Sequence, residues 1–367
     1  MNVLRLFKER RVAIAVATGA TLVAGLVITL TPAGASTRVS DATRASAATR
    51  ASDATSARCP YTFAVITHGD NGSFWSVVYK GAKDAAKDLG CTLSEVYGSQ
   101  QQGQAEPDDV AENAQIQDAI NAHVNGIAVS DHDPTLMNPT IAKAVKRGIP
   151  VVLLNAGCDP ADLAASHAMT CVGQPETLAG QTAGATFKSQ GKSNVLCVIH
   201  QSGQNLLDRC AGLAAGLGLS SCSTKNPPAS GVACTELILS TPNAASNPTQ
   251  AIGQVVTYLQ AHPGINAVMC LNSAIGDALV TANPSKVKIA TFDLDSGTVA
   301  DLEAGKMDFA IDQQQYLQGY LPIVFLYLYN KADGNSAGGG SVVPSGPLVV
   351  TKANVAKVAA AIAAGDD

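Results

Sequence analysis

From Cys59 onward the chain alternates short apolar runs with longer helical stretches, and midway the alternation restarts. TFAVIT, CTLSEVYGS, GIAVS and IPVVLLN are strand-length runs, the fourth ending at Asn155. From residue 194 the pattern returns as NVLCVIH, CTELILS, INAVMCLN, KVKIATFD and DFAIDQ. Apolar strands spaced by helices predict parallel sheets covered on both faces. Two such runs in succession predict an α/β protein of two doubly wound parallel-sheet lobes rather than one large sheet. Between the runs, about 170–174 reads as a crossing from lobe to lobe. After them come a long helix over 316–330, a last short strand in PLVVT, and a final helix over 353–363.

The first 58 residues cannot join this plan. Arg5, Lys8, Arg10 and Arg11 precede an uncharged run from Val12 to Leu30, and Ala33-Gly34-Ala35 follows as an A-x-A cleavage site. Residues 1–35 therefore predict an export signal, with an uncleaved membrane anchor as the alternative, since the apolar run is long enough to span a bilayer. No Cys stands at its end to take a lipid. Residues 36–58 are Ser, Ala and Thr with scattered Arg and Asp, a composition that buries no core and predicts a disordered tether. Export places the globular part outside the cytoplasm. A net charge of −5, with no basic block beyond the N-terminus, argues against a nucleic-acid partner.

All nine Cys lie after the tether, where an oxidising compartment permits disulfides. None shows C-x-x-C spacing, so neither zinc nor dithiol redox chemistry is indicated. Eight Cys admit many connectivities. Local geometry favours Cys59–Cys91, at the starts of two neighbouring parallel strands. Cys158–Cys171 and Cys222–Cys234 would close short loops, and Cys197–Cys210 would tie a strand to the helix after it. Cys270 is then the odd one.

Open α/β sheets bind ligands at the carboxyl ends of their strands. Here those ends carry His68 and Asn71, Ser130 and Asp131, Asn155, His200, Asn272, Asp293 and Gln313. Just past the first strand stand Phe74 and Trp75, the latter the only Trp of the chain. Asn205 and Arg209 lie one turn apart on the helix after His200. Aromatic faces beside amides, carboxylates and a guanidinium suit a sugar or polyol, which has C–H faces and a rim of hydroxyls. No nucleophile elbow, phosphate loop or dinucleotide glycine fingerprint appears, and the six His lack metal-ligand spacing. Neither cofactor, metal nor catalytic residue is expected. The enzymatic alternative is a secreted carbohydrate-active α/β enzyme using His68 or His200 with Asp293.

Taken in order, SFWSVVYKGAKDAAKDLG, AVKRGIPVVLLN, VGQPETLAGQTAG, DRCAGL, NAVMCLNSAIGDAL, IATFDLD and AIDQQQYLQGY make the chain resemble the ribose/galactose-type (type I) periplasmic sugar-binding proteins of ABC importers. The resemblance covers about residues 60–350. It implies two lobes joined by a hinge of three crossovers. The first would hold 59–173 plus about 313–335, the second 174–312 plus about 340–352. It also implies a monomer that delivers sugar to an ABC permease, or reports to a membrane receptor in a sensing role. By position, Phe74 and Trp75 match the aromatic pair that sandwiches the ring. Arg209, Asn272, Asp293 and Gln313 match the residues that bind hydroxyls. Asn155-Ala156 departs from the Asp-Arg of ribose-type members, which speaks against ribose itself. The many Cys are a further departure.

Overall fold

A computed structural model describes residues 59–69, 72–99 (backbone alone at 95–97), 107–282, 286–332, 334 and 339–367. The export signal, the tether and Asn71 lie outside these residues.

The first lobe opens with β1 (Thr62–Thr67), α1 (Ser73–Leu89), β2 (Thr92–Gly98), α2 (Asp109–Asn121), β3 (Gly126–Val129) and α3 (Pro134–Lys146). It continues with β4 (Val151–Leu154), α4 (Pro160–Ser166) and β5 (Thr170–Gly173). The second comprises α5 (Glu176–Ser189), β6 (Asn194–Ile199), α6 (Gln204–Leu217), β7 (Ala233–Ile238), α7 (Pro248–Ala261) and β8 (Ala267–Cys270). Then follow α8 (Ser273–Ala282), β9 (Lys288–Phe292), α9 (Ser296–Ala304) and β10 (Phe309–Asp312). The chain returns to the first lobe through α10 (Gln315–Lys331) and β11 (Val342–Pro344). It ends in the second with β12 (Leu348–Val350), a 3-10 turn and α11 (Ala359–Ala364).

The two six-stranded sheets have matching orders, β11-β5-β4-β3-β1-β2 and β12-β10-β9-β8-β6-β7. All pairings are parallel except β12 with β10. The chain crosses between lobes three times, after β5, after β10 and between β11 and β12. Two sequence expectations need correction here. Residues 170–173 are a strand of the first sheet, with the crossing just after it. The segment 340–352, assigned to the second lobe, is split: β11 extends the first sheet and β12 the second. Each piece is three residues long, too short to carry a signal of which sheet edge it joins.

Side-chain alternation along each strand builds a core on each sheet face. In β1, Phe63 and Val65 pack toward α1 and α10, whereas Ala64 and Ile66 pack toward α2 and α3. In β6, Leu196 and Val198 face one cluster, and Val195, Cys197 and Ile199 the other. Each lobe also has a helix pair at backbone contact. A Cβ on Gly319 of α10 would lie 1.9 Å from the Val78 carbonyl oxygen of α1, and one on Gly81 would lie 2.2 Å from that of Tyr316. In the second lobe Gly180 of α5 meets Arg209 of α6, and Gly212 meets Thr177, in the same way.

Four disulfides join Cys59–Cys91, Cys158–Cys171, Cys197–Cys210 and Cys222–Cys234, leaving Cys270 free and buried. The first brings Cα atoms 4.6 Å apart across a separation of 32 residues and pins the entries of β1 and β2 together. Replacing both Cys59 and Cys91 by Ser is expected to cost about 3–4 kcal/mol through the freed unfolded chain. Urea unfolding of the double variant beside the parent protein measures this loss.

Candidate ligand-binding cleft

The first wall grows from the end of β1. His68, 3% exposed, follows the strand, and its Nδ1 is hydrogen-bonded to the Ser130 hydroxyl at the end of β3. Its ring stands edge-on to Trp75 with centroids 4.8 Å apart, and 4.5 Å from His132. Trp75 lies so close over Gly69 that a Cβ there would fall 1.9 Å from the indole nitrogen, so only glycine admits the ring. Trp75 is also part of the core between sheet and helix, with one edge left to the cleft. Phe74 meets it at 78° with centroids 5.0 Å apart. The two rings are therefore not a pair of parallel plates, as the family resemblance suggested, but an edge-to-face corner.

Burial, reinforced by His132 and then His200, holds the His68 imidazole well below its usual range. On the opposite wall burial and the neighbouring Arg209 push His200 down to about 3. Both rings are therefore neutral at neutral pH, each with one donor and one acceptor nitrogen. His200 Nδ1 is buried without a protein partner.

The second wall is set by α6 and the ends of β6, β8 and β9. Asn205 and Arg209, four residues apart, share one face of α6. Arg209 is held by Glu176, at the start of α5, through Nε–Oε2 at 2.7 Å and Nη2–Oε1 at 2.8 Å. Its guanidinium lies 4.4 Å from the centre of the Phe292 ring. The Gly180 and Gly212 contacts between α5 and α6 place the two charges at this distance. The Cys197–Cys210 bridge anchors the helix beside Arg209. Two of five guanidinium N–H groups are engaged by Glu176, leaving three for the cleft. Asn272 Oδ1 accepts from the Ala274 amide, so its Nδ2 group is the part left for a ligand.

Asn155 and Asp293, which end β4 and β9, both adopt left-handed backbone conformations, with φ of 61° and 70°. Strand-to-helix turns of this kind are tolerated by Asn and Asp and recur at functional sites. Burial pushes the Asp293 carboxyl up to about 6, against the opposing pull of Arg209 and of Gln313, whose Nε2 donates to Oδ1 at 2.5 Å. Gln318 Nε2 donates to Gln313 Oε1 at 3.1 Å, and Asn155 Nδ2 donates to Gln318 Oε1 at 3.1 Å. Gln318 also donates to Ser345 Oγ in the third crossing. One buried amide chain thus runs from the first lobe, through the hinge, to the carboxylate of the second. Gln318 was not anticipated; its only sequence signal is a glutamine in the buried first turn of α10.

The cleft encloses about 630 Å³, part of it open to solvent. From the first lobe it receives His68, Phe74, Trp75 and Asn155; from the second, His200, Asn205, Arg209, Asn272 and Asp293; from the hinge, Gln313. Two expected residues stand elsewhere. Ser130 sits behind His68 as its partner, and Asp131 is buried beside a separate chamber, because successive residues leaving β3 diverge in direction. Gln201, beside His200 at the carboxyl end of β6, also lines the cleft, as do Asn243 and Ser246, which were not expected to. The last two lie in the segment TPNAASNP between β7 and α7, itself a strand-to-helix turn at the binding edge. At the cleft mouth His132 Nε2 is 3.3 Å from the Ser202 carbonyl, so the lobes touch.

Residues 63–335 match the family described as periplasmic binding protein domain. A carbohydrate transporter from Acidothermus cellulolyticus 11B, solved with myo-inositol, is 35% identical and superposes with a TM-score of 0.71. That alignment covers 84% of this chain and 99% of the other. An ABC transporter solute-binding protein from Burkholderia graminis C4D1M, solved with D-arabinose, shares the fold at 24% identity and a TM-score of 0.66. It aligns over 81% of this chain and 97% of its own. The xylose/arabinose-binding protein XylF of Sulfolobus acidocaldarius is 24% identical over 286 residues. These are 73% of this chain and 66% of XylF, just under two thirds of that relative's length. With a family match over more than half its length and a solved relative aligned almost end to end, this chain belongs to the periplasmic binding protein domain family.

Proposed function

We propose that the chain is an extracytoplasmic solute-binding protein that captures a neutral monosaccharide or polyol between its lobes and delivers it to an ABC permease. The observation that carries this reading is the character of the cleft. Neutral His68 and His200, the amides of Asn155, Asn205 and Asn272, and the compensated charges of Arg209 and Asp293 offer many strong donors and acceptors with little net charge. Phe74 and the edge of Trp75 add an apolar corner. A cyclic polyol matches that distribution, and the relative from Acidothermus cellulolyticus holds one.

Binding would act through closure. Contacts from both lobes to one ligand exist only in the shut state, so the ligand shifts the population toward it. The amide chain through Gln313 and Gln318 would give the hinge a defined shut geometry. The shut form would then dock on the permease as a monomer, with the N-terminal segment serving as export signal or anchor. The cleft is read as non-catalytic. His68 Nδ1 is committed to Ser130, and both imidazoles are held neutral by burial, which leaves them hydrogen-bonding groups rather than proton-transfer groups near pH 7.

Trp75 provides the test, being the only tryptophan and lying at the cleft edge. Titration with neutral monosaccharides and polyols, myo-inositol, D-xylose and D- and L-arabinose among them, is expected to give a saturable change in its emission for at least one. A flat response across the panel, with no heat by calorimetry, would sink the reading. Turnover of the bound compound would move it to the enzymatic alternative.

A further inference from the structure

Among the described residues Arg209 and Asp293 are the only charged side chains on the cleft wall. Arg209 nevertheless forms its ion pair not with Asp293 but with Glu176, which stands off the cleft and lines the chamber beside it. An acidic residue in the first turn of a helix is ordinary, because the dipole favours it there. Glu176 does more than that at the start of α5. Its side chain is only 10% exposed, and both of its oxygens accept from Arg209, on Nε and Nη2. Oε2 also accepts from Gln174 Nε2 at 3.0 Å, and Gln174, 1% exposed, belongs to the first crossing between the lobes. The carboxylate is thus fixed from the hinge side, and the guanidinium is fixed by the carboxylate.

One guanidinium therefore stands between two carboxylates, Glu176 off the cleft and Asp293 on its wall. Burial works against the charge on Arg209, and the attraction of Glu176, then of Asp293, outweighs it. At Asp293 burial raises the carboxyl to about 6; Arg209 and Gln313 pull it down, while Glu176 and Asp295 push it up. Asp312, at the end of β10, and Asp293 repel each other as well. His200, also beside Arg209, is neutral. A neutral polyol entering this group meets donors on Arg209 and acceptors on Asp293. An anionic one would bring a third carboxylate to a guanidinium whose bidentate edge is already taken, and would be repelled by the other two.

We propose that Glu176 is the residue that makes the cleft select neutral sugars and polyols over acidic ones, acting through Arg209 as a positioning residue. Its carboxylate occupies the edge of the guanidinium that would grip a ligand carboxylate and leaves the remaining N–H groups to hydroxyls. Selectivity of this kind comes from an occupied partner and a like charge rather than from an added contact to the preferred ligand. The inference rests on the reading of the cleft as a sugar site, and it assigns the residue that enforces neutrality there.

Glu176→Gln keeps the shape and one acceptor but removes the charge. Calorimetry with D-glucose against D-glucuronate, D-galactose against D-galacturonate, and myo-inositol against its monophosphate measures the discrimination. The parent is expected to favour the neutral member, and Glu176→Gln to narrow that preference by about tenfold or more, the worth of one charge-assisted hydrogen bond. Glu176→Asp, which keeps the charge, is expected to retain the preference. A merely structural role would weaken both members of a pair alike. Glu176→Ser is a second neutral variant: the chamber beside Glu176 is partly open to solvent, so water can reach the freed guanidinium if Glu176→Gln does not fold. A further measurement needs no ligand. Carboxyl-carbon NMR titration, assigned with Asp293→Asn, is expected to place Asp293 near 6 in the parent and lower in the neutral variants, because a repelling neighbour is gone. The rise of affinity with pH should move down with it. An unmoved Asp293 midpoint, a neutral variant with the parent's preference, or a Glu176→Asp protein that loses it would overturn the proposal. If no neutral compound binds the parent, the cleft reading fails, while the carboxyl titration still decides for or against Glu176.

Discussion

Asp293→Ala is expected to lose at least about 100-fold in affinity for the cleft ligand, since a carboxylate receives more than one charge-assisted hydrogen bond from adjacent hydroxyls. The unliganded protein should melt at nearly its original temperature. The reason lies in the folded-state carboxyl, which burial raises from 3.8 to about 6 despite Arg209 and Gln313. A value raised on folding means that the stability tied to this group is complete below 3.8 and lost as pH rises through about 6. At neutral pH the ionised group is thus tolerated by the fold, not required by it. Ligand binding has the opposite sign. Hydroxyl donors need the carboxylate, so affinity should rise as pH rises through about 6 and level off above. Asp293→Asn should flatten that rise while keeping one acceptor oxygen. Calorimetry between acidic and mildly alkaline pH, on parent and both variants, measures all of this. An Asp293→Ala protein that binds as the parent does would remove the residue from the site.

The second large effect falls on folding. Gly319→Val is expected to destabilise the first lobe by about 3 kcal/mol or more, beyond the usual cost of an overpacked core position. The first atom its Cβ would meet is the Val78 carbonyl oxygen, at 1.9 Å, and the next are also α1 backbone. Backbone cannot swing aside as a side-chain tip does, so α10 would have to lift off α1. Gln315 and Gln318 would move with it, and with them the amide chain that reaches Asp293. Denaturant unfolding and far-UV spectra should show the loss directly. Gly253→Val, within α7 at a position where nothing lies within 4 Å, is the control expected to lose no stability, since valine is the slightly better helix former. Equal stability of Gly319→Val and the parent would mean that the two helices are not held at that distance.

The sequence by itself determined that there are two lobes and where most strands end, and it favoured the disulfide partners that the fold joins. Each rests on local information. Strands such as VVLL and NVLCVI are apolar on both faces, which only a sheet covered on both sides explains. Polar residues such as Asn155, Asn272 and Asp293 then mark where each strand must stop. Pairs such as Cys197 and Cys210 are near because a strand and its following helix are near. What only the tertiary structure decided was direction and partnership across long separations. Whether Ser130 or Asp131 enters the cleft depends on how the turn after β3 rotates. Whether Trp75 stacks on a ligand or lends it an edge depends on Gly69 and Phe74 together. The route of the third crossing and the place of Gln318 depend on which sheet edges lie open. Such relations are absent from local pattern because they are set by packing of one lobe against the other, and no single segment carries their cost or their gain.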